Sequence, residues 1–217
     1  MELENLQENR IDGIEFIKKI DKEIENLFIK EYKKLQEHVS GLTEDFLIDL
    51  GTFKKLLSEH NNKKYCKFYY IQKDKFLNIN ISFSDNSQSA IKTEDVIYTL
   101  NGEFVKTEVL TKLKDEYASG IGAELVKQTK EEDTLVYYTL SEINSFIENM
   151  EKLHPGINKL KFNMWQYCPT NINGELSAHF TTKDKRISFC VHALVVNPEN
   201  NKVLAESDAY DLGNLRP

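Results

Sequence analysis

The sequence predicts an α+β protein in which an N-terminal antiparallel helix hairpin packs on antiparallel β-hairpins and a meander, with additional helices. Three observations carry that reading. Apolar residues between Ile17 and Val39 recur at a helical period, the period falls to two near Leu77, and long apolar runs separated by Asn-rich turns fill the last third.

The first helix is expected from Asp12, where Glu15 completes a capping box and Ile11 and Phe16 form a hydrophobic staple. Its stripe is Ile17, Ile20, Ile24, Phe28, Tyr32, Leu35 and Val39, six steps over 22 positions. That spacing of about 3.7 belongs to a straight amphipathic helix, whereas a coiled-coil seam averages about 3.5. The stripe therefore packs on its own protein. Gly41 reads as the residue after the helix and Thr43 as the start of a second helix, with Phe46, Leu47, Leu50, Phe53, Leu56 and Leu57 on its apolar face. Two helices so closely linked make an αα-hairpin.

Past Asn61 and Asn62, an aromatic run from Tyr65 to Ile71 and a turn at Lys73 and Asp74 lead to Leu77, Ile79, Ile81 and Phe83. These alternate with Asn78, Asn80, Ser82 and Ser84. A hairpin with one dry and one wet face is expected. Asn101-Gly102 marks a second hairpin, and Thr107 to Ser119 reads as a helix stopped at Gly120. Residues 128–133 are charged and aperiodic, the best linker in the chain. A strand over 134–138 then meets a capping box at Thr139 and Glu142, whose helix stops before Pro155-Gly156. Strands follow over 158–167, 187–197 and 203–205. The boundaries suggested are 1–62 for the helical hairpin, 63–130 for a small α/β unit, and 134–217 for a C-terminal unit that can be continuous with the second. The order helix, strand, strand occurs twice, from Thr43 and from Thr139, without residue-level identity.

From Leu140 the run Leu140-Ser141-Glu142-Ile143-x-x-Phe146-Ile147-Glu148, the aromatic strand ending at Tyr167, the apolar strand from Arg186 to Val196 and the tail Ala209-Tyr210-Asp211-Leu212-Gly213-Asn214-Leu215-Arg216-Pro217 form one pattern. It resembles a group of small uncharacterised bacterial proteins that end in a Tyr-Asn-x-Gly-x-Leu-Cys-Pro-Pro-like tail. The resemblance covers about the last 80 residues and implies a domain layout but no activity. Asp211 stands where asparagine is usual and Arg216 where a cysteine stands, so no role of that cysteine carries over.

Composition narrows the function classes. A net charge of -7 opposes broad attraction to nucleic acid or anionic lipid. Arg10, Arg186 and Arg216 are the only arginines, too dispersed for a phosphate-binding cluster. An acidic N-terminus and the lack of any run near the ~20 residues of a membrane span fit a cytoplasmic protein, as do the odd, scattered Cys66, Cys168 and Cys190. Gly120-Ile121-Gly122-Ala123 lacks the lysine of a P-loop and the context of a dinucleotide fingerprint, so no cofactor is expected.

Cys190 and His192 share a strand face, and with Cys168 and His179 they are the material for a thiol nucleophile or a zinc site. The spacing Cys168-x10-His179-x10-Cys190 lacks the close ligand pairs of zinc knuckles. The expectation is therefore no metal, with Cys190 a core residue and His192 at the sheet margin or satisfied beneath a helix. Glu206, Asp208 and Asp211 read as a solvated acidic tail. Trp165 and Tyr167, opposite Leu160, Phe162 and Met164, either lie beneath the N-terminal helices or form a binding patch. Candidate binding residues are Trp165, Tyr167, Tyr210 and Asp211. The expected function is a non-enzymatic protein-interaction or regulatory module, with a protein partner or self-association. The alternative is a small hydrolase or metal-dependent enzyme using the Cys/His cluster.

Overall fold

A computed structural model describes residues 19–92, 94–101, 103–129, 132–169, 172, 177–210 and 214–216, with Glu103, His179, Asn214 and Arg216 described by backbone alone. Helix α1 spans Lys22–Leu35, capped by Asp21, whose side chain accepts from Glu23 N at 2.8 Å. Phe28, Tyr32 and Leu35 form its buried face. The capping box expected at Asp12 lies outside the described residues.

The next element corrects the expected helix hairpin. Asp45–Asp49 is strand β1, and helix α2 begins only at Leu50, running to Glu59. Phe46 and Ile48 alternate inward while β1 pairs antiparallel with the strand at 159–166, and Asp49 caps α2 through Thr52 N at 2.8 Å. Phe46, Leu47, Leu50 and Phe53 recur at a helical spacing while Phe46, Ile48 and Leu50 alternate at a strand spacing, so a helical stripe in the sequence conceals a strand that runs into a helix without a loop. Gly41 is also not a helix terminator. Its φ of +82° and the approach of the Lys75 carbonyl, 2.2 Å from where a Cβ would stand, make it a docking point for the following hairpin.

That hairpin is β2 (Tyr65–Lys73) and β3 (Phe76–Ser84), with Asp74 and Lys75 both at positive φ in the turn, the backbone of a type I′ connection. Strands β4 (Val96–Asn101) and β5 (Glu103–Lys106) follow. Helix α3 (Leu110–Ser119) continues after Gly120 into α4 (Ile121–Thr129), a helix the charged sequence conceals. The Gln72 side-chain oxygen accepts from Ile121 N at 2.9 Å and would stand 2.3 Å from a Cβ at position 120. A residue on β2 thus starts α4, which is why Gly120 reads as a stop. The segment read as a linker ends at Asp133, which is buried and accepts from Arg186 Nε at 2.7 Å and Ile187 N at 3.0 Å.

The remaining elements follow the sequence closely: β6 (Leu135–Thr139), α5 (Leu140–Leu153), β7 (Lys159–Gln166), α6 (Ser177–Thr181), β8 (Ile187–Val196), β9 (Val203–Glu206) and β10 (Asn214–Arg216). The capping box of Thr139 and Glu142 forms in full.

Two antiparallel sheets result, ordered β1-β7-β8-β9 and β10-β6-β2-β3-β4-β5. The repeated order of elements here acquires a spatial meaning. The series β1-α2-β2-β3-β4 and β6-α5-β7-β8-β9 match, but each leading strand joins the other series' sheet, β1 on β7 and β6 on β2. The pairings therefore cross the boundaries near residues 62 and 130. Phe68 of β2 meets Phe162 at 5.4 Å and Phe189 at 5.5 Å, holding the inner faces together. Helix α1 covers the outer face of β7, and α3 the outer face of β2. Asn80, Ser82 and Ser84, expected on a wet face, are consequently buried. Among the described residues, no helix is long and apolar enough to cross a membrane.

Candidate functional site

The layer between α1 and β8 gathers the titratable side chains with the most chemical potential. Strand β8 pairs Lys161 with His192, Asn163 with Cys190 and Trp165 with Ser188, so Ser188, Cys190 and His192 face α1 in a row. Glu25, in the first turns of α1, points down onto that row. His192 Nε2 lies 3.0 Å from Glu25 Oε1 and 3.7 Å from Cys190 Sγ, and Nδ1 lies 2.9 Å from the Ser207 carbonyl. Glu25, Cys190 and His192 are each no more than 2% exposed.

The partners dictate the protonation of the ring. Nδ1 faces a carbonyl, which only accepts, so it carries a proton. Burial acts to raise the pKa of Glu25, but hydrogen bonds from His192 and from Lys22 Nζ at 2.9 Å outweigh it and hold the carboxyl below its ordinary value. Nε2 faces the Glu25 carboxyl, so one proton is shared between the two atoms. Glu206 Oε1 stands 3.5 Å from Nδ1, on the other side of the ring, and Lys161 engages it in turn.

Sequence reasoning placed Cys190 and His192 on one face and allowed for a His192 satisfied beneath a helix, which is the arrangement found. It missed Glu25, 167 residues away in sequence from His192. The signal was its spacing: Glu25 stands three residues before Phe28 and seven before Tyr32, which puts it on the buried face of α1. Cys168 is partly buried and outside the row, and the side chain of His179 lies outside the described residues. With Cys190 and His192 enclosed, the pair presents no surface to a substrate, and Nε2 already engages Glu25.

Trp165 and Tyr167 are buried rather than presented as a patch. Phe28 stands edge-on to both, and Phe180 closes the cluster at 5.1 Å from Phe28. Tyr210 is buried against Phe146 at 5.5 Å and bridges Val191 through its backbone. Asp211 lies outside the described residues. Asp208 is half-exposed and pairs with Lys19 at 2.8 Å.

A second buried polar group lies on the outer face of β2 and β3. Lys67 is fully buried, donating to the Gln88 carbonyl at 3.1 Å and facing Asp95 at 3.5 Å, and burial lowers its pKa. On the surface, a groove of about 370 Å³ runs between β1 and the β2–β3 turn, with Leu47 and Phe76 on its lips at 46% and 61% exposure. A cleft of about 640 Å³ near the start of α5 is lined mainly by polar residues such as Asn61, Lys63, Ser141 and Glu148.

Compared with protein-family models, with curated proteins and with solved structures, the chain matches none of them.

Proposed function

We propose that this chain is a non-enzymatic protein-interaction module that takes an extended segment of a partner protein into the groove beside β1. The observation that carries the reading is the pair of large apolar side chains, Leu47 and Phe76, held open on opposite lips of that groove above a floor of Phe46 and Leu77. Exposed apolar side chains at a concave edge favour a protein ligand. Strand β1 is also the edge of its sheet, where an added strand gains main-chain hydrogen bonds.

The sequence of β1 selects the partner. Pairing of two copies antiparallel about Leu47 sets Asp45 against Asp49, and like charges directly opposed disfavour it. The net charge of -7 favours a protein segment with an apolar residue between basic ones.

A photo-crosslinking amino acid at position 76 tests the reading. The expected product is an adduct with one protein, lost in Leu47→Glu and Asp45→Lys and kept in Leu204→Glu, which alters an exposed residue of β9 on the opposite sheet edge. No adduct, or an adduct indifferent to Leu47, refutes it. With the partner purified, Leu47→Glu should weaken binding at least tenfold, and added salt should weaken the wild-type complex.

A further inference from the structure

The geometry points to a zinc-class divalent metal site formed by Glu25 Oε1, Cys190 Sγ and His192 Nε2, which fastens α1 to β8. The three atoms lie within 4.8 Å of one another. Tetrahedral zinc bound at about 2.0–2.1 Å to nitrogen and oxygen and about 2.3 Å to sulfur separates N from O by about 3.3 Å and N from S by about 3.6 Å. The observed separations are 3.0 Å and 3.7 Å, and the third, oxygen to sulfur, is within 4.8 Å, so an ion is accommodated by small movements of these side chains. The ligand types, one nitrogen, one oxygen and one sulfur, are those zinc accepts.

The surroundings match what a metal-bound imidazole needs. Nδ1–H donates to the Ser207 carbonyl at 2.9 Å, fixing the tautomer that turns the Nε2 lone pair towards Glu25 and Cys190. Lys22 holds the second oxygen of Glu25 at 2.9 Å, leaving Oε1 for the ion. Beside Cys190 on the same face of β8, the buried Ser188 Oγ has no hydrogen-bond partner among the described residues. A water in the fourth coordination position would meet that need.

Charge balance favours the exchange. With protons alone, the cluster holds a thiol and one proton shared between His192 Nε2 and Glu25 Oε1, and sums to zero. When the ion binds, the thiol proton and the shared proton both leave to solvent. The divalent ion then balances a thiolate and a carboxylate, again at zero. A buried site pays heavily for net charge, so an occupant that preserves neutrality is admitted where a monovalent one is not. Because the three residues are enclosed, the ion enters as α1 docks, during folding.

The test unfolds the full chain in denaturant with a chelator, then refolds it with and without zinc, and with cobalt in a parallel sample. The expected result is one equivalent of zinc retained after desalting and a higher thermal midpoint than the zinc-free protein. Cobalt should show the charge-transfer absorption of a thiolate ligand and the intense visible bands of tetrahedral coordination. Cys190→Ser and Glu25→Gln should each weaken zinc binding more than tenfold, while Cys168→Ser leaves it unchanged. Retention well below one equivalent in folded wild type, loss through Cys168→Ser instead of Cys190→Ser, or cobalt without a thiolate band overturns the assignment. If Cys190→Ser fails to fold, the wild-type cobalt spectrum decides, since it needs no substitution.

Discussion

Phe28 of α1 stands edge-on to Trp165 of β7, ring centroids 5.2 Å apart and planes at 86°. The same ring meets Tyr167 at 5.5 Å and Phe180 at 5.1 Å, so one side chain anchors the helix to the sheet. Phe28→Ala removes a fully buried ring and three aromatic contacts. The expected loss is about 3–5 kcal/mol in denaturant unfolding. Trp165 is the chain's one tryptophan, so its emission should shift to the red in the folded variant as water reaches the ring. Unchanged emission with unchanged stability would show that α1 is not held this way.

Gly41 provides a sharper backbone test. Its φ of +82° is strained for any side chain, and a Cβ there would meet the Lys75 carbonyl at 2.2 Å. Leu77 N donates to the Gly41 carbonyl at 2.8 Å, so movement away from Lys75 also disturbs the start of β3. Gly41→Ala should lower stability by roughly 1–3 kcal/mol, read as a fall in the thermal midpoint. A neutral outcome removes the docking role given to this residue.

These positions also show which parts of the structure were legible in the sequence. Elements with one unambiguous period were read well: β7, β8 and α5 fall within a residue or two of expectation, and the Thr139–Glu142 box is a local signal that needs no tertiary partner. β1 was missed because Phe46 and Leu50 belong to a helical stripe and a strand alternation alike, and only pairing with β7, more than 100 residues away, decides. Helix α4 was missed because Gln72, not a neighbouring residue, supplies its first acceptor. Asn80 and Ser82 were read as exposed because polar residues alternating on a strand ordinarily face water. Here the sheet face that Asn80 shares with its partner Tyr69 is packed against α3 and not open to water. The site follows the same logic: Cys190 and His192 lie two residues apart and were visible together, while Glu25 joins them only through the docking of α1.

Lys67 and Asp95 form a buried pair whose separation, 3.5 Å, is long for a strong ion pair. Removing one partner strands the other charge away from water. Lys67→Met should therefore cost roughly 3–5 kcal/mol. The double variant Lys67→Met, Asp95→Asn should recover a large part of that loss, since no uncompensated charge remains. Chemical denaturation of wild type, Lys67→Met, Asp95→Asn and the double variant gives the coupling directly. Additive losses would show that Asp95 is not the group that keeps Lys67 in place.

His60 supplies a pH dependence with a defined sign. Its Nε2 lies 2.8 Å from Tyr98 Oη and its ring stacks on Phe83 at 4.5 Å. Burial is the largest influence and prevails over the opposing pull of Glu59; with smaller contributions from Lys106 and Lys63 it holds the pKa below the ordinary 6.5. As pH falls past 6.5 the unfolded chain takes up this proton before the folded one does. The stability contributed by neutral His60 is thus complete above 6.5 and is lost between 6.5 and the lower folded value. His60→Gln cannot titrate and keeps an acceptor for the Tyr98 hydroxyl. The stability advantage of wild type over His60→Gln should therefore shrink as pH drops from about 7.5 to about 5, measured by urea unfolding at each pH. An advantage that stays constant over that range excludes His60 as a source of acid sensitivity, while one that grows reverses the sign of the shift.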